Sequence, residues 1–295
     1  MKTNNLSKNT LLLAVGTFIN KGLLFVMIPL FSSWLSTEDY GRFDVFCTYV
    51  ALMIPIVTLA CNEAVFRFGI EKETISEKGI YITNGLVVVL MNSIIMVVVV
   101  GVVSFWTKWE YTFPFLLMSF GEILNSYLQG YMRAIRRLNI YSFCTAFLTI
   151  CISIFVTIFV LFFDMGLKGI IFGYAFGYIM GDFAIIGVTK FIKYIDLKKI
   201  SKSTIKEMLL YSYMLIPNNI SWWVISVSDR MIVNLFLGDT INGIYAVASK
   251  IPNFCTAIFG VFSISWQETA TDMLKDENRD AYYNSILNRM IRLLL

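Results

Sequence analysis

The 295-residue sequence has no histidine, only five prolines, and charged residues at just 15%. Without histidine the chain lacks the commonest general base and the commonest metal ligand, and the ordinary nucleophile–histidine triads are excluded. The five cysteines, Cys47, Cys61, Cys144, Cys151 and Cys255, all lie in or beside apolar runs. They read as small packing residues rather than disulfide partners or metal ligands. What replaces the missing charge is apolar surface: 57% of the residues are hydrophobic and the mean hydropathy is +0.70. Such a chain is a polytopic membrane protein, and in hydrocarbon an all-α bundle satisfies the backbone. The net charge of +4 is carried mostly at the ends of apolar runs, so no nucleic-acid partner is expected. No cofactor or metal centre is implied.

Eight apolar runs are long enough to cross a bilayer, which takes about 20 residues each. They cover residues 9–34, 43–68, 80–106, 111–132, 140–163, 169–188, 208–237 and 244–267. A ninth begins at residue 285 and is expected to be the start of a helix that the sequence does not complete. The first run is too long for a signal-peptide core, and no small-residue cleavage site follows it. Pro29 should kink the first run, and Pro55 lies inside the second. Residues 36–42 and 238–243 read as loops. Glu63 and Arg67 stand four apart on one helix face and read as a local ion pair. The sixth run carries Gly169, Gly173, Gly177 and Gly181, a spacing that lets helix backbones approach closely. Residues 190–206 are strongly basic and are either an amphipathic strip at the membrane surface or a solvated loop.

Eighteen of the 24 Lys and Arg residues fall in segments on one side of this alternation, and only Arg42, Lys108 and Lys168 on the other. The positive-inside rule then puts the N-terminus in the cytoplasm. It gives a complete six-helix lobe over residues 1–189, a basic cytoplasmic linker over 190–207, and an incomplete second lobe over 208–295.

Residues 222–252 stand apart because Asp229, Arg230 and Lys250 interrupt apolar sequence. A charge at the bilayer centre costs about 2.5–3.5 kcal/mol on insertion scales, so such residues face a bundle interior or a wet cavity. The stretch has an echo near the N-terminus. A shift of 202 positions lays Thr37 on Asp239 and Gly41 on Gly243, with a leucine before and an aromatic after in both copies. Each copy is an apolar run, a short polar segment ending in glycine, and a second apolar run. A duplicated six-helix bundle explains the echo.

The run Ser228–Asp229–Arg230–Met231–Ile232–Val233, followed by Phe236–Leu237–Gly238 and by residues 243–252, resembles the seventh and eighth helices of Wzx-type polysaccharide biosynthesis transporters. Pro29–Leu30 and residues 35–41 resemble the opening of the same family. Its members are lipid-linked oligosaccharide flippases, related to the MATE exporters within the MOP superfamily. The resemblance implies a MATE-like fold, two six-helix lobes around a central cavity, and alternating access. It also implies a polyprenyl (undecaprenyl) pyrophosphate-linked sugar as cargo, coupling to Na+ or H+ in some members, and contact with polysaccharide polymerase machinery. The expected location is the bacterial cytoplasmic membrane. The chain departs from the family in length, so a fragment or disrupted gene product is expected.

Lys21, Arg230 and Lys250 are the three basic residues inside apolar runs rather than at their ends. With an anionic pyrophosphate as cargo, they are the candidate cavity cations. The alternative is that Arg230 or Lys250 pairs with a membrane carboxylate such as Asp229 or Asp182, or snorkels outward. Asn218 and Asn219 are candidate sugar contacts; Asp182, Glu122 and Asp229 are candidate ion-coupling carboxylates. The bland readings are helix–helix hydrogen bonding and ion pairing. Trp222 and Trp223 either stack on sugar or pack. A multidrug antiporter of the same superfamily, with an acidic and aromatic cavity, is the competing reading, and a polysaccharide-assembly protein without transport is the third. The predicted loops on the outer face are too short to house an enzyme's catalytic domain.

Overall fold

A computed structural model describes residues 27, 30, 33–249, 260, 263, 266–267, 270–271 and 279–294, all in helices, turns or short connections. Its helices are α1 (Thr37–Thr58), α2 (Cys61–Ile70), α3 (Ile75–Thr107), α4 (Thr112–Ala134), α5 (Leu138–Thr157), α6 (Gly166–Thr189), α7 (Lys202–Tyr213), α8 (Leu215–Ala248) and α9 (Arg279–Leu294). Among the described residues five helical stretches are long and apolar enough to cross a membrane: α1, α3, Asn139–Phe162, α6 and α8. Their outward side chains are apolar. On α3, Ile94, Val98, Phe105 and Trp106 are 65%, 59%, 83% and 82% exposed, a surface that only lipid covers comfortably.

Three expected boundaries shift. Residues 36–42 are not a loop: α1 begins at Thr37, with Ser36 as N-cap accepting the Asp39 N–H at 3.0 Å. Serine followed by Glu38 and Asp39 is a helix-start signal in its own right. The second apolar run is two helices, because Leu59 and Ala60 both adopt the left-handed conformation. The exposed carbonyls there would be costly in hydrocarbon, and neighbours satisfy them. Asn92 donates to the Val57 carbonyl at 3.0 Å, and Ser212 to the Ala60 carbonyl at 3.2 Å. The expected loop at 238–243 shrinks to one residue. Gly238, at φ 82°, reverses α8 on itself, and contacts between Asp229 and Tyr245 and between Arg230 and Ser249 join the two arms.

Segments assigned to one face by their basic residues gather at one end of the bundle. Lys78 donates to the Ala134 carbonyl at 2.7 Å, Arg136 to the Ile70 carbonyl at 3.1 Å, and Lys199 to Ser76 Oγ at 2.6 Å. The basic linker is strapped down rather than free. Asn84 donates to the Lys199 carbonyl at 3.0 Å and accepts from the Ser201 N–H at 2.8 Å. Within the linker Phe191 is buried, while Ile192 and Leu197 are exposed. At the opposite end Phe46 packs against Trp109, Tyr111 and Phe115.

Two packed cores run between these ends. One joins α1, α4, α5 and α6 through Phe43, Met118, Ile152 and Ile171; the other joins α2, α3 and α4 through Val65, Ile82, Tyr127 and Tyr131. The glycine spacing of α6 sets the closeness of α5. A methyl on Gly173 or Gly177 would come within 2.6 Å of the Val156 Cα or 2.7 Å of the Ile152 Cα. We predict that Gly177→Ala lowers the unfolding free energy by about 1–3 kcal/mol through overpacking. Gly101→Ala, where an added methyl meets nothing, should leave it unchanged. Thermal unfolding in detergent reads both, and equal effects would contradict the packing assignment.

Candidate functional site

The echoed segments cross each other. A methyl placed on Gly41 would collide with the Asp239 carbonyl oxygen, and one on Gly243 would collide with the Thr37 carbonyl oxygen. Under the shift of 202, these are the same contact seen from its two sides. Each glycine admits the backbone of the other copy's first helical turn. Asn242, fully buried, donates to the Gly41 carbonyl at 2.9 Å, and Arg42 donates to Asp239 at 2.9 Å.

Deeper in this seam lies a buried ion pair. Arg230 donates to Asp44 Oδ1 at 2.7 Å, with the side chains 8% and 3% exposed. The second guanidinium nitrogen donates to Ser249 Oγ at 3.2 Å. Trp223 ties the same surfaces together by donating to the Thr48 carbonyl at 3.0 Å, whereas Trp222 is exposed. Arg230 therefore pairs with neither Asp229 nor Asp182. Asp229 accepts from the Tyr245 hydroxyl and from the Arg230 backbone N–H. Asp44 escaped the sequence reading although the signal was present: a lone acid in the apolar run from Phe43 to Val50. The readable positions on this face were those interrupting long runs, and Asp44 sits only two residues past Arg42.

The other two candidate carboxylates lie elsewhere, between α4, α5 and α6. A cavity of about 340 Å3 is lined by Glu122, Asn125, Ser126, Gln129, Thr145, Tyr174 and Tyr178, among others. Glu122 and Tyr178 line it together. Asn125 connects this cavity to Asp182, donating to its Oδ1 at 2.8 Å. Gln129 donates to Asn125 at 2.7 Å, and the Tyr141 hydroxyl donates to Gln129 at 3.1 Å. The donors of the whole chain point toward the carboxylate. Asp182 is 3% exposed and its Oδ2 has no hydrogen-bond partner among the described residues. Asn218 is exposed and Asn219 half-buried on the first arm of α8. Lys21 and Lys250 lie outside the described residues.

A family model for polysaccharide biosynthesis proteins matches residues 6–266. The chain belongs to that family. No curated protein sequence matches it. Among solved structures, it is similar to an outward-facing multidrug resistance MATE family transporter of the MOP superfamily. The TM-score is 0.67 at 14% identity, over 90% of this chain and 64% of that one. It is similar also to a mutant of the Vibrio cholerae MATE transporter VcmN, with TM-score 0.65 at 14% identity over 92% and 67% of the two chains. A third is a Pyrococcus furiosus MOP superfamily transporter described as having a binding pocket of reversed polarity. There the TM-score is 0.58 at 12% identity over 90% and 68%. At these identities the likeness is one of fold, and the chain spans 64% of the length of the first. The chain is thus an integral membrane protein with the fold of MOP superfamily transporters.

At the end where the basic segments gather, the family member's Glu63 does not pair with Arg67. Arg67 pairs with Glu71, while Glu63 lies 3.6 Å from Arg133. Arg133 also covers the Phe66 ring and donates to Gln267 at 2.9 Å. The local pair gives way to partners on either side: Glu71 one turn on for Arg67, and Arg133 of α4 for Glu63.

Removing one partner of a buried ion pair leaves an uncompensated charge, which costs about 3–5 kcal/mol. We therefore expect Arg230→Ala to destabilise the protein by that amount, and Arg230→Met combined with Asp44→Leu to recover most of it. Thermal unfolding of the parent protein and these two variants tests this; a double variant no more stable than Arg230→Ala would argue against a coupled pair.

Proposed function

We propose that this family member translocates a polyprenyl-pyrophosphate-linked oligosaccharide, the repeat unit of a surface polysaccharide, from the cytoplasmic to the outer leaflet. The observation that carries this reading is the placement of Arg230, a buried guanidinium in the seam between the two echoed segments, in a chain of the polysaccharide biosynthesis family. A pyrophosphate crossing hydrocarbon needs a fixed cation that its oxygens can approach bidentately, and arginine supplies that geometry. Residues 1–189 form one lobe, 190–207 a linker, and 208–295 part of a second lobe, so the seam is the interface that rocks in alternating access. Lys21 and Lys250, which lie outside the described residues, are the further candidate cations for the pyrophosphate, and Asn218 and Asn219 the candidate sugar contacts. The chain sits in the bacterial cytoplasmic membrane with its N-terminus inside and hands its product to polymerase machinery outside.

Ion coupling falls to the other site. Asp182 ends a directed hydrogen-bond chain, and Glu122 lines the adjoining polar cavity. Both suit a proton or Na+ cycle, with Asp229 a further acidic group beside the seam. The cavity also supports a second reading. A carboxylate framed by Tyr174 and Tyr178 is the kind of site an organic cation enters, as a multidrug antiporter would require.

Deletion of the gene in its host separates the two. The flippase reading expects surface glycan to be lost and lipid-linked precursor to accumulate inside, both restored by the intact gene. Unchanged glycan with increased sensitivity to cationic drugs would replace it with the antiporter reading. In the complemented strain, Asp182→Asn should abolish the dependence of export on the ion gradient while protein abundance stays within about twofold, a margin of roughly 0.4 kcal/mol. An undiminished gradient dependence would remove Asp182 from coupling.

A further inference from the structure

The seam holds a contradiction that the proposed function leaves open. The cation offered to the cargo is already occupied, because Asp44 takes Arg230 at 2.7 Å inside a shut crossing. Resting on the flippase reading, we propose that Asp44 is an internal stand-in for the cargo phosphate. It holds Arg230, and with it the crossing of residues 37–41 over 239–243, closed until an anionic pyrophosphate takes the arginine away.

Three observations carry this. First, the pair is placed to report on the crossing. Asp44 lies three residues from Gly41, within one helical turn, and Arg230 precedes the Gly238 reversal that leads directly into Asp239 and Gly243. Movement of Arg230 away from Asp44 removes a buried link between the two copies close to their point of nearest approach. Second, beside the neutral Asn242–Gly41 hydrogen bond, the other charged link across the crossing is exposed. Arg42 and Asp239 are 44% and 30% exposed, and Arg42 also bonds Glu38 at 2.5 Å. An exposed pair contributes roughly 0–1 kcal/mol. The glycine contacts fit closely but place no side chain of either glycine across the seam. Third, Arg230 keeps a neutral anchor. Ser249 Oγ at 3.2 Å holds the guanidinium without demanding its charge. An arginine anchored this way can exchange one dianionic or monoanionic oxygen partner for another without being rebuilt. Asp44 is a positioning residue here, since it acts on the cargo through Arg230 and not by contact.

The exchange is testable without the sugar. In the full chain in nanodiscs, with the five native cysteines replaced, Arg42→Cys and Asp239→Cys are bridged by a short bis-thiosulfonate reagent. The closed crossing predicts rapid bridging. Inorganic pyrophosphate or a polyprenyl pyrophosphate in the same discs should slow it about fivefold or more, the lower end of ordinary coupling. Slowing by both assigns recognition to the phosphate group; slowing by the polyprenyl form alone assigns it to the lipid-borne source. Asp44→Asn should slow bridging without any ligand, and pyrophosphate should add little further. Because Arg230→Gln alone risks misfolding, the paired Arg230→Gln and Asp44→Asn variant serves as the control, and its bridging should ignore both anions. Bridging that neither anion changes, in a parent protein whose intact gene still restores surface glycan, overturns the proposal and leaves the flippase reading standing. If bridging responds to pyrophosphate but the gene proves dispensable for glycan, the exchange stands and the cargo assignment falls.

Discussion

The organisation of this protein depends on the contact where α1 crosses the second arm of α8. Backbone meets backbone there because Gly41 and Gly243 carry no side chain, and each receives a carbonyl from the other segment's first turn. In a membrane, close approach of this kind is a principal source of helix association, because lipid tails remove the hydrophobic drive that would hold the same helices together in water. With the crossing in place, the few polar groups of the seam find one another: Asn242 with the Gly41 carbonyl, Arg230 with Asp44, and Trp223 with the Thr48 carbonyl. Without it, each would be a buried polar group facing hydrocarbon, at a cost of several kcal/mol.

The same logic governs the interior of the bundle. Irregular backbone is tolerated where side chains from other helices answer it. The left-handed pair Leu59–Ala60 breaks what would be one long helix, and Asn92 and Ser212 close the exposed carbonyls around the break. That break turns α2 so that Gly130 of α4 can approach Asn62 and Glu63 can approach Arg133. The polar chain from Tyr141 to Asp182 is then confined to the space between α4, α5 and α6, apart from the Arg230 seam. A transporter benefits from this separation. In the function proposed here, one site takes a small ion while the other takes the cargo, and the helices between them carry the coupling.

Family membership and fold fit this division. The family concerns polysaccharide biosynthesis, and the fold is that of MOP superfamily transporters. The two candidate sites differ in make-up: one is a guanidinium held by a carboxylate, the other a carboxylate framed by tyrosines. On the proposed function the first serves an anionic lipid headgroup once Arg230 is released, and the second a cation.

Residue chemistry alone determined a good deal. Length and spacing of apolar runs, checked by the distribution of lysine and arginine, gave an all-helical membrane protein and grouped the segments that share each end of the bundle. The echo between residues 34–43 and 236–245 marked the two segments that meet. These properties follow from local periodicity and composition, which the bilayer reads directly. Tertiary structure alone decided the partners. Arg230 chose Asp44 over its neighbour Asp229, and Glu63 chose Arg133 over Arg67. The reason is geometric: a side chain adjacent in sequence can point to another face of the helix, while a residue 186 positions away is brought to 2.7 Å by the crossing of two backbones. Helix ends were partly legible, since Ser36 and its following acids announce a start. The break at Leu59–Ala60 was not, because neither residue favours that conformation and hydrogen bonds from α3 and α7, together with the Thr58 hydroxyl on the Ala60 N–H, maintain it.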